Sequence, residues 1–93
     1  MYYIISLKHT KKWDKWITLW RPDDAGYTYY KQSAGQYENP KKGYHDSDSA
    51  VPVKVETADK LFKEDQDHRG QYAIRNTKAN YKRLGIDHLI DTE

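Results

Sequence analysis

The chain contains no cysteine. It can therefore build no disulfide framework, no thiolate metal site and no cysteine nucleophile, and it does not read as a stapled extracellular mini-domain. Long apolar runs are missing too, with nothing near the roughly 18 consecutive apolar residues of a membrane span. The opening Met-Tyr-Tyr-Ile-Ile-Ser-Leu-Lys has neither the basic leader nor the small-residue cleavage site of a secretory signal. The expectation is a cytoplasmic protein with no membrane partner. Aliphatic residues are scarce: Ile, Leu, Val and Phe number 15 of 93, about 16%, under the roughly 20% at which disorder becomes a live reading. Disorder usually also needs a large net charge, and here 16 basic and 14 acidic side chains nearly cancel to +2.

What the chain has instead is 9 Tyr and 3 Trp. These rings make a globular fold the better reading, with an aromatic core whose hydroxyl and indole N–H groups reach the rim. A chain of this size buries about 65% of its unfolded surface. Modest stability follows, and a homo-oligomer would add to it.

Residues Tyr2 to Lys8 are β-branched and aromatic without helical spacing, which reads as a strand; its adjacent Ile4 and Ile5 are both covered if it lies centrally. Trp16 to Arg21 reads as a second strand, hairpinned to the first and stopped at Pro22, whose nitrogen has no proton for a ladder bond. Asp23 to Gly26 reads as a turn and Tyr27 to Tyr30 as a third strand. A short helical turn is expected at Ser33 to Tyr37. Val51 to Val55 alternates, and Pro52 assigns it to a sheet edge. Thr57 suits the cap of a helix to about Asp65, with Ala58, Leu61 and Phe62 on one stripe. After a turn at Asp67 to Gly70, Tyr72 to Arg75 returns as a strand. Asn76 or Thr77 then caps a second helix through Leu84, closed by left-handed Gly85. Ile86, Leu89 and Ile90 would tuck the tail back, with Asp91 to Glu93 loose. The whole reads as one α+β domain over residues 1–93: a small, mostly antiparallel sheet with two short helices.

Charge is unevenly placed. Residues 8–21 carry Lys8, Lys11, Lys12, Lys15 and Arg21 against Asp14, and residues 75–83 carry Arg75, Lys78, Lys82 and Arg83, each segment a local +4; residues 56–67 sum to −3. In the first segment the cations interleave with Trp13, Trp16 and Trp20, a mixture that can stack bases while pairing phosphates. The alternative is that the tryptophans are core and the lysines a soluble hairpin tip.

Catalytic and metal chemistry find little support. His45-Asp46-Ser47-Asp48 matches no zinc or calcium spacing, and there is no phosphate-cradling glycine loop, no Gly-x-Ser-x-Gly and no histidine pair one helical turn apart. No metal, no other cofactor and no catalytic residue is expected. Two segments, Ala25-Gly26-Tyr27 and Ala34-Gly35-Gln36-Tyr37, place an aromatic beside a glycine that permits close backbone approach. They read either as turns whose tyrosines pack on the sheet or as the walls of a pocket. The candidate ligand-binding residues are Lys8, His9, Trp20, Arg21, Tyr27 and Tyr37.

The order Tyr3-Ile4-Ile5-Ser6-Leu7-Lys8-His9-Thr10, then Trp16-Ile17-Thr18-Leu19-Trp20-Arg21-Pro22-Asp23-Asp24-Ala25-Gly26-Tyr27, then Ala34-Gly35-Gln36-Tyr37 and Gly43-Tyr44, resembles a family of short, mostly uncharacterised proteins of tailed bacteriophages and prophages. The likeness runs from the N-terminus to the neighbourhood of Val55, with a looser echo at Arg75 to Lys82. It implies a phage origin and the cytoplasm of an infected bacterium. Small, cysteine-free phage proteins without a catalytic constellation are often inhibitors of host defence. The resulting expectation is a non-catalytic antagonist that blocks a bacterial defence protein or sequesters a nucleotide signal. The alternative is a nucleic-acid-binding accessory protein using segments 8–21 and 75–83.

Overall fold

The structure, a computed structural model, describes residues 1–87. It is α+β, with two antiparallel sheets and two short helices. The first sheet contains β1 (Tyr2–Ser6), β2 (Leu19–Trp20), β3 (Tyr27–Thr28) and β4 (Ala50–Lys54) in the order β3-β2-β1-β4. β1 is flanked on both edges, and Ile4 and Ile5 are both fully buried, as their adjacency requires. β4 is an edge strand, and Pro52 sits in it opposite Ile4. An edge is where a residue without an N–H costs the ladder least.

β1 sorts its side chains by period two. Tyr3 and Ile5 face the main core, together with Ile17, Leu19, Val53, Ile74, Leu84 and Ile86. Ile4 faces the other way and packs with Trp20, Ala50 and Tyr37 in a small second cluster. The core is thus more aliphatic than the composition suggests. Ile4, Ile5, Ile17, Ile74 and Ile86 are all buried, whereas Trp13, Tyr27, Tyr29, Tyr44 and Tyr72 are exposed.

The region after β4 differs from the sequence reading. In place of the expected Thr57–Asp65 helix there is a single turn of helix, α1 (Val55–Asp59), followed by a strand, β5 (Phe62–Asp65), in a hairpin with β6 (His68–Ile74). Thr57 lies within α1, whose N-cap is Lys54 without a side-chain cap. Ala58, Leu61 and Phe62 do meet the core, so the apolar spacing is real, but pairing with β6 outcompetes the helix. Asp65 opposes His68, so the turn is at Gln66 and Asp67 rather than at 67–70, and β6 begins at His68 instead of Tyr72.

Other departures are smaller. β2 is only Leu19–Trp20, because Trp16 leaves the first sheet and bridges Arg75. β3 is equally short, ending at Thr28. The helical turn lies at Lys31–Ser33, and Tyr37 is instead bridged to Tyr2. The last helix, α2 (Lys78–Leu84), follows its signals: Thr77 accepts the Asn80 N–H, and Gly85 closes it at φ 74°. Ile86 tucks back and is buried, while Leu89, Ile90 and Asp91 to Glu93 lie outside the described residues. Among the described residues no helix is long and apolar enough to cross a membrane.

Candidate ligand-binding clefts

Two glycines shape the turn system around β2 and β3. Gly26 has φ 117°, a conformation that side chains rarely adopt, and its carbonyl accepts the Arg21 N–H at 2.8 Å. Gly35 is buried against Pro22, and a Cβ there would lie 2.7 Å from the Pro22 backbone. Its N–H donates to the Trp20 carbonyl at 2.9 Å. The two Ala-Gly segments are therefore both spatial necessities, one for conformation and one for close approach.

That approach delivers Tyr37 to a structural post. Its hydroxyl donates to the Arg21 carbonyl and accepts the Asp24 N–H at 3.1 Å. The ring leans on His45 at a centroid distance of 4.9 Å. Burial, with the Asp24 charge adding to it, raises the Tyr37 phenol above its usual range. His45 is buried too: its Nδ1 accepts the Lys41 N–H at 2.8 Å and its Nε2 meets Asp24 Oδ1 at 2.8 Å. With Nδ1 accepting, Nε2 carries the proton and donates to Asp24. Tyr37 and His45 together hold the loop containing Asp23 and Asp24, both at φ 58°. Tyr37 is thus a prop beneath the candidate site and lines neither of the clefts described next.

The remaining candidates do converge. The His9 and Tyr27 rings stack at 3.9 Å between centroids and 30° between planes, and this stack forms a wall shared by two clefts. On one side is a cleft of about 610 Å³, bounded also by Arg21, Tyr29, Tyr30, Ser33 and Gln71. On the other is one of about 240 Å³, bounded by Ser6, Lys8, Trp20, Tyr44, Ser47 and Ser49. Lys8, His9, Trp20, Arg21 and Tyr27 are thereby brought to one wall or the other.

Identifiable contacts orient these side chains. Ser6 Oγ lies 2.8 Å from His9 Nδ1 and also accepts the His9 N–H, fixing the ring over the turn after β1. Arg21 Nε donates to the Tyr27 carbonyl at 3.3 Å, which leaves the outer guanidinium nitrogens for a ligand. Tyr27 stands edge-on to Trp20 at 5.9 Å, and Trp20 in turn meets Tyr44 and His45 edge-on at 5.2 Å each. Tyr30 is tied at 2.8 Å to Asp65, a buried carboxylate that also receives the Asp67 N–H at 3.0 Å and faces His68 at 3.2 Å. Burial alone would raise the Asp65 carboxyl; the bonds from Tyr30, Asp67 and His68 outweigh it and hold it below its usual range.

Among the described residues, Trp20 Nε1 and Gln71 Oε1 are buried without a hydrogen-bond partner, and both belong to residues that line the clefts. Native structures rarely leave such atoms orphaned, and each costs about 1–3 kcal/mol unless something meets it. With Lys8 and three serine hydroxyls, the smaller cleft suits a small anionic or oxygen-rich group. The larger suits a flat ring against tyrosine and histidine, with a negative charge at Arg21.

The chain matches no known family model, no curated protein and no solved structure. The geometry of the clefts, rather than kinship, carries the functional reading.

Gln71, Ser33 and Thr18 are not among the candidate site residues of the sequence reading, because tertiary packing alone brings them to the larger cleft. Tyr29 and Tyr30 carry a signal in the Tyr27-Thr28-Tyr29-Tyr30 run, and Tyr44 one in its place beside Gly43. Assigning them to cleft walls takes the three-dimensional arrangement.

Proposed function

We propose that this chain is a non-catalytic binding protein whose ligand is a nucleotide-type compound held against the His9–Tyr27 stack. The observation that carries this reading is that stack itself, with Arg21 at the cleft on one side and Lys8 at the cleft on the other. Rings of ligand and protein stack through their π-faces, and a cation at the edge pairs a phosphate. The larger cleft, at about 610 Å³, is within the range of roughly 300–1,000 Å³ typical of small-molecule sites.

Binding is favoured over catalysis by the way Ser6 and His9 are used. A serine nucleophile needs a base that is itself oriented by a third group. Here Ser6 is buried, accepts the backbone N–H of His9, and closes a turn. On the expectation of a phage origin raised by the sequence, the setting we propose is an infected bacterium, where capture of a nucleotide signal would antagonise a defence system. Exposed Tyr27, Tyr29 and Tyr44 around the clefts also suit a protein interface, since tyrosine is enriched there; blocking a defence protein is the second reading.

A thermal-shift panel of mono-, di- and cyclic nucleotides separates the two. A ligand present at 100 times its Kd stabilises by about 2.7 kcal/mol, which raises the Tm of a domain this size by roughly 10 °C or more. One nucleotide class should do so. If none does and a defence protein is retained by the immobilised chain, the second reading replaces the first.

A further inference from the structure

A different part of the surface gathers much of the chain's positive charge. Seven of the sixteen basic residues lie in segments 11–15 and 75–83, accompanied by Asp14 as the one acid, so these two segments together hold +6 and the rest of the chain −4. The fold joins them. Trp16 and Arg75 form an antiparallel bridge. The Asn76 N–H donates to the Lys15 carbonyl at 3.0 Å, and the Asn76 side-chain amide donates to the carbonyls of Lys11 and Asp14, each at 2.9 Å. One asparagine thus fastens the 11–15 turn to the lead-in of α2. Cations from opposite ends of the sequence come to lie side by side.

The cations are exposed and partly ordered. Lys11, Lys12, Lys15, Arg75, Lys78, Lys82 and Arg83 are all exposed. Lys15 and Arg75 lie over the buried Trp16 ring at 5.1 and 5.8 Å. Lys78 and Lys82 are one turn apart on α2, and so share a face. The acids nearby are largely engaged: Asp14 Oδ2 accepts the Lys11 N–H at 2.7 Å, and Asp67 pairs Lys15 at 3.8 Å. Amid this charge stands Trp13, 81% exposed. In a chain so short of bulky apolar residues, leaving an indole in water does nothing for the fold.

We infer that the face built from residues 11–15 and 75–83 binds single-stranded nucleic acid, its lysines and arginines on phosphates and Trp13 stacking a base. Such pairing of a cationic track with an exposed ring is the physical recipe for sequence-tolerant single-strand binding. The face contains none of Lys8, His9, Trp20, Arg21 and Tyr27, so it stands or falls apart from the clefts.

The test is fluorescence anisotropy of a labelled single-stranded oligothymidine titrated with the chain across a salt series. Binding at low salt should weaken as salt rises, with log K falling by about 0.7 per phosphate contact for each unit of log salt. Trp13→Ala should weaken binding about 5- to 100-fold, the range for one stacked base, with the salt slope unchanged. Lys78→Glu with Lys82→Glu should weaken it and flatten the slope by about 1.4. Both variants alter exposed positions, and circular dichroism checks that they fold. Tyr27→Ala should bind as the parent does. No anisotropy change at about 20 mM salt, where such contacts are strongest, overturns the inference, as does parental affinity in Trp13→Ala or loss of binding in Tyr27→Ala alone.

Discussion

The His9 and Tyr27 rings lie parallel within 30° at 3.9 Å, although one follows β1 and the other opens β3. The contact exists because β1 and β3 both flank β2, so the turn leaving β1 and the first residue of β3 meet on one side of the sheet. Tyr27 is 44% exposed, so its ring contributes little to the core and is available to a ligand. Tyr27→Ala should lower nucleotide affinity about 5- to 100-fold while leaving Tm nearly unchanged. Tyr27→Phe should retain affinity, because the ring face rather than the hydroxyl does the stacking. Calorimetric titration of the three proteins checks this.

Gly35 should tolerate no side chain. A Cβ would meet the Pro22 backbone at 2.7 Å, and backbone cannot yield as the tip of a flexible side chain can. Gly35→Ala is expected to cost about 1–3 kcal/mol, roughly 4–8 °C in Tm for each kcal/mol. The same substitution at Gly85, where a Cβ meets nothing within 4 Å, should cost only the strain of its positive φ. Thermal melts of both variants make the comparison.

Stability should fall at alkaline pH. Tyr3 and Tyr81 are raised above the usual phenol range by burial, reinforced by Asp59 and Asp14 respectively; Tyr37 is raised by burial with Asp24; and Tyr30 is raised by its bond to Asp65. Each phenol therefore holds its proton more tightly folded than unfolded. Its contribution is intact below the ordinary value of about 10 and is lost as pH climbs from there through the folded value. Denaturant midpoints measured from pH 8 upward should be flat and then decline. Absorbance at the phenolate band should show a subset of tyrosines titrating late.

Asp65 works in the opposite direction. Its carboxyl is held low, so its contribution is present above the ordinary carboxylate value of about 4 and fades as pH falls through the folded value. Asp65→Asn should be less stable than the parent at pH 7, and the gap between the two should narrow in acid. Because Asp65 anchors Tyr30 at the wall of the larger cleft, the variant should also lose nucleotide affinity. A melt series at neutral and acidic pH, with one binding isotherm at neutral pH, tests both statements.

Much of the fold is legible wherever local chemistry decides the outcome. Adjacent isoleucines mark β1 as central, Pro52 marks β4 as an edge, and Thr77 and Gly85 bracket α2. The reading fails at Phe62 to Asp65, whose spacing from Ala58 fits a helix but whose backbone pairs with β6. Nothing local announces that partner, and tertiary pairing overrides the weak helical preference. The scarcity of aliphatics also misleads in one respect. It suggests an aromatic core, whereas the few isoleucines are placed inside and several rings are left at the surface. Five of the six candidate site residues reach a cleft wall because they belong to neighbouring strands and turns. Tyr37 does not, since its glycine neighbour serves a close approach to Pro22 and its hydroxyl is taken up by the Arg21–Asp24 loop.

The most direct measurement is a nitrogen-15 chemical-shift map of the labelled chain titrated with the nucleotide panel. The expected result is that one nucleotide class moves the amides of His9, Thr18, Arg21, Tyr27 to Tyr30 and Gln71, which surround the larger cleft, and leaves those of Lys78 to Arg83 in place. An absence of shifts at millimolar nucleotide, or shifts confined to residues away from the His9–Tyr27 wall, would contradict it.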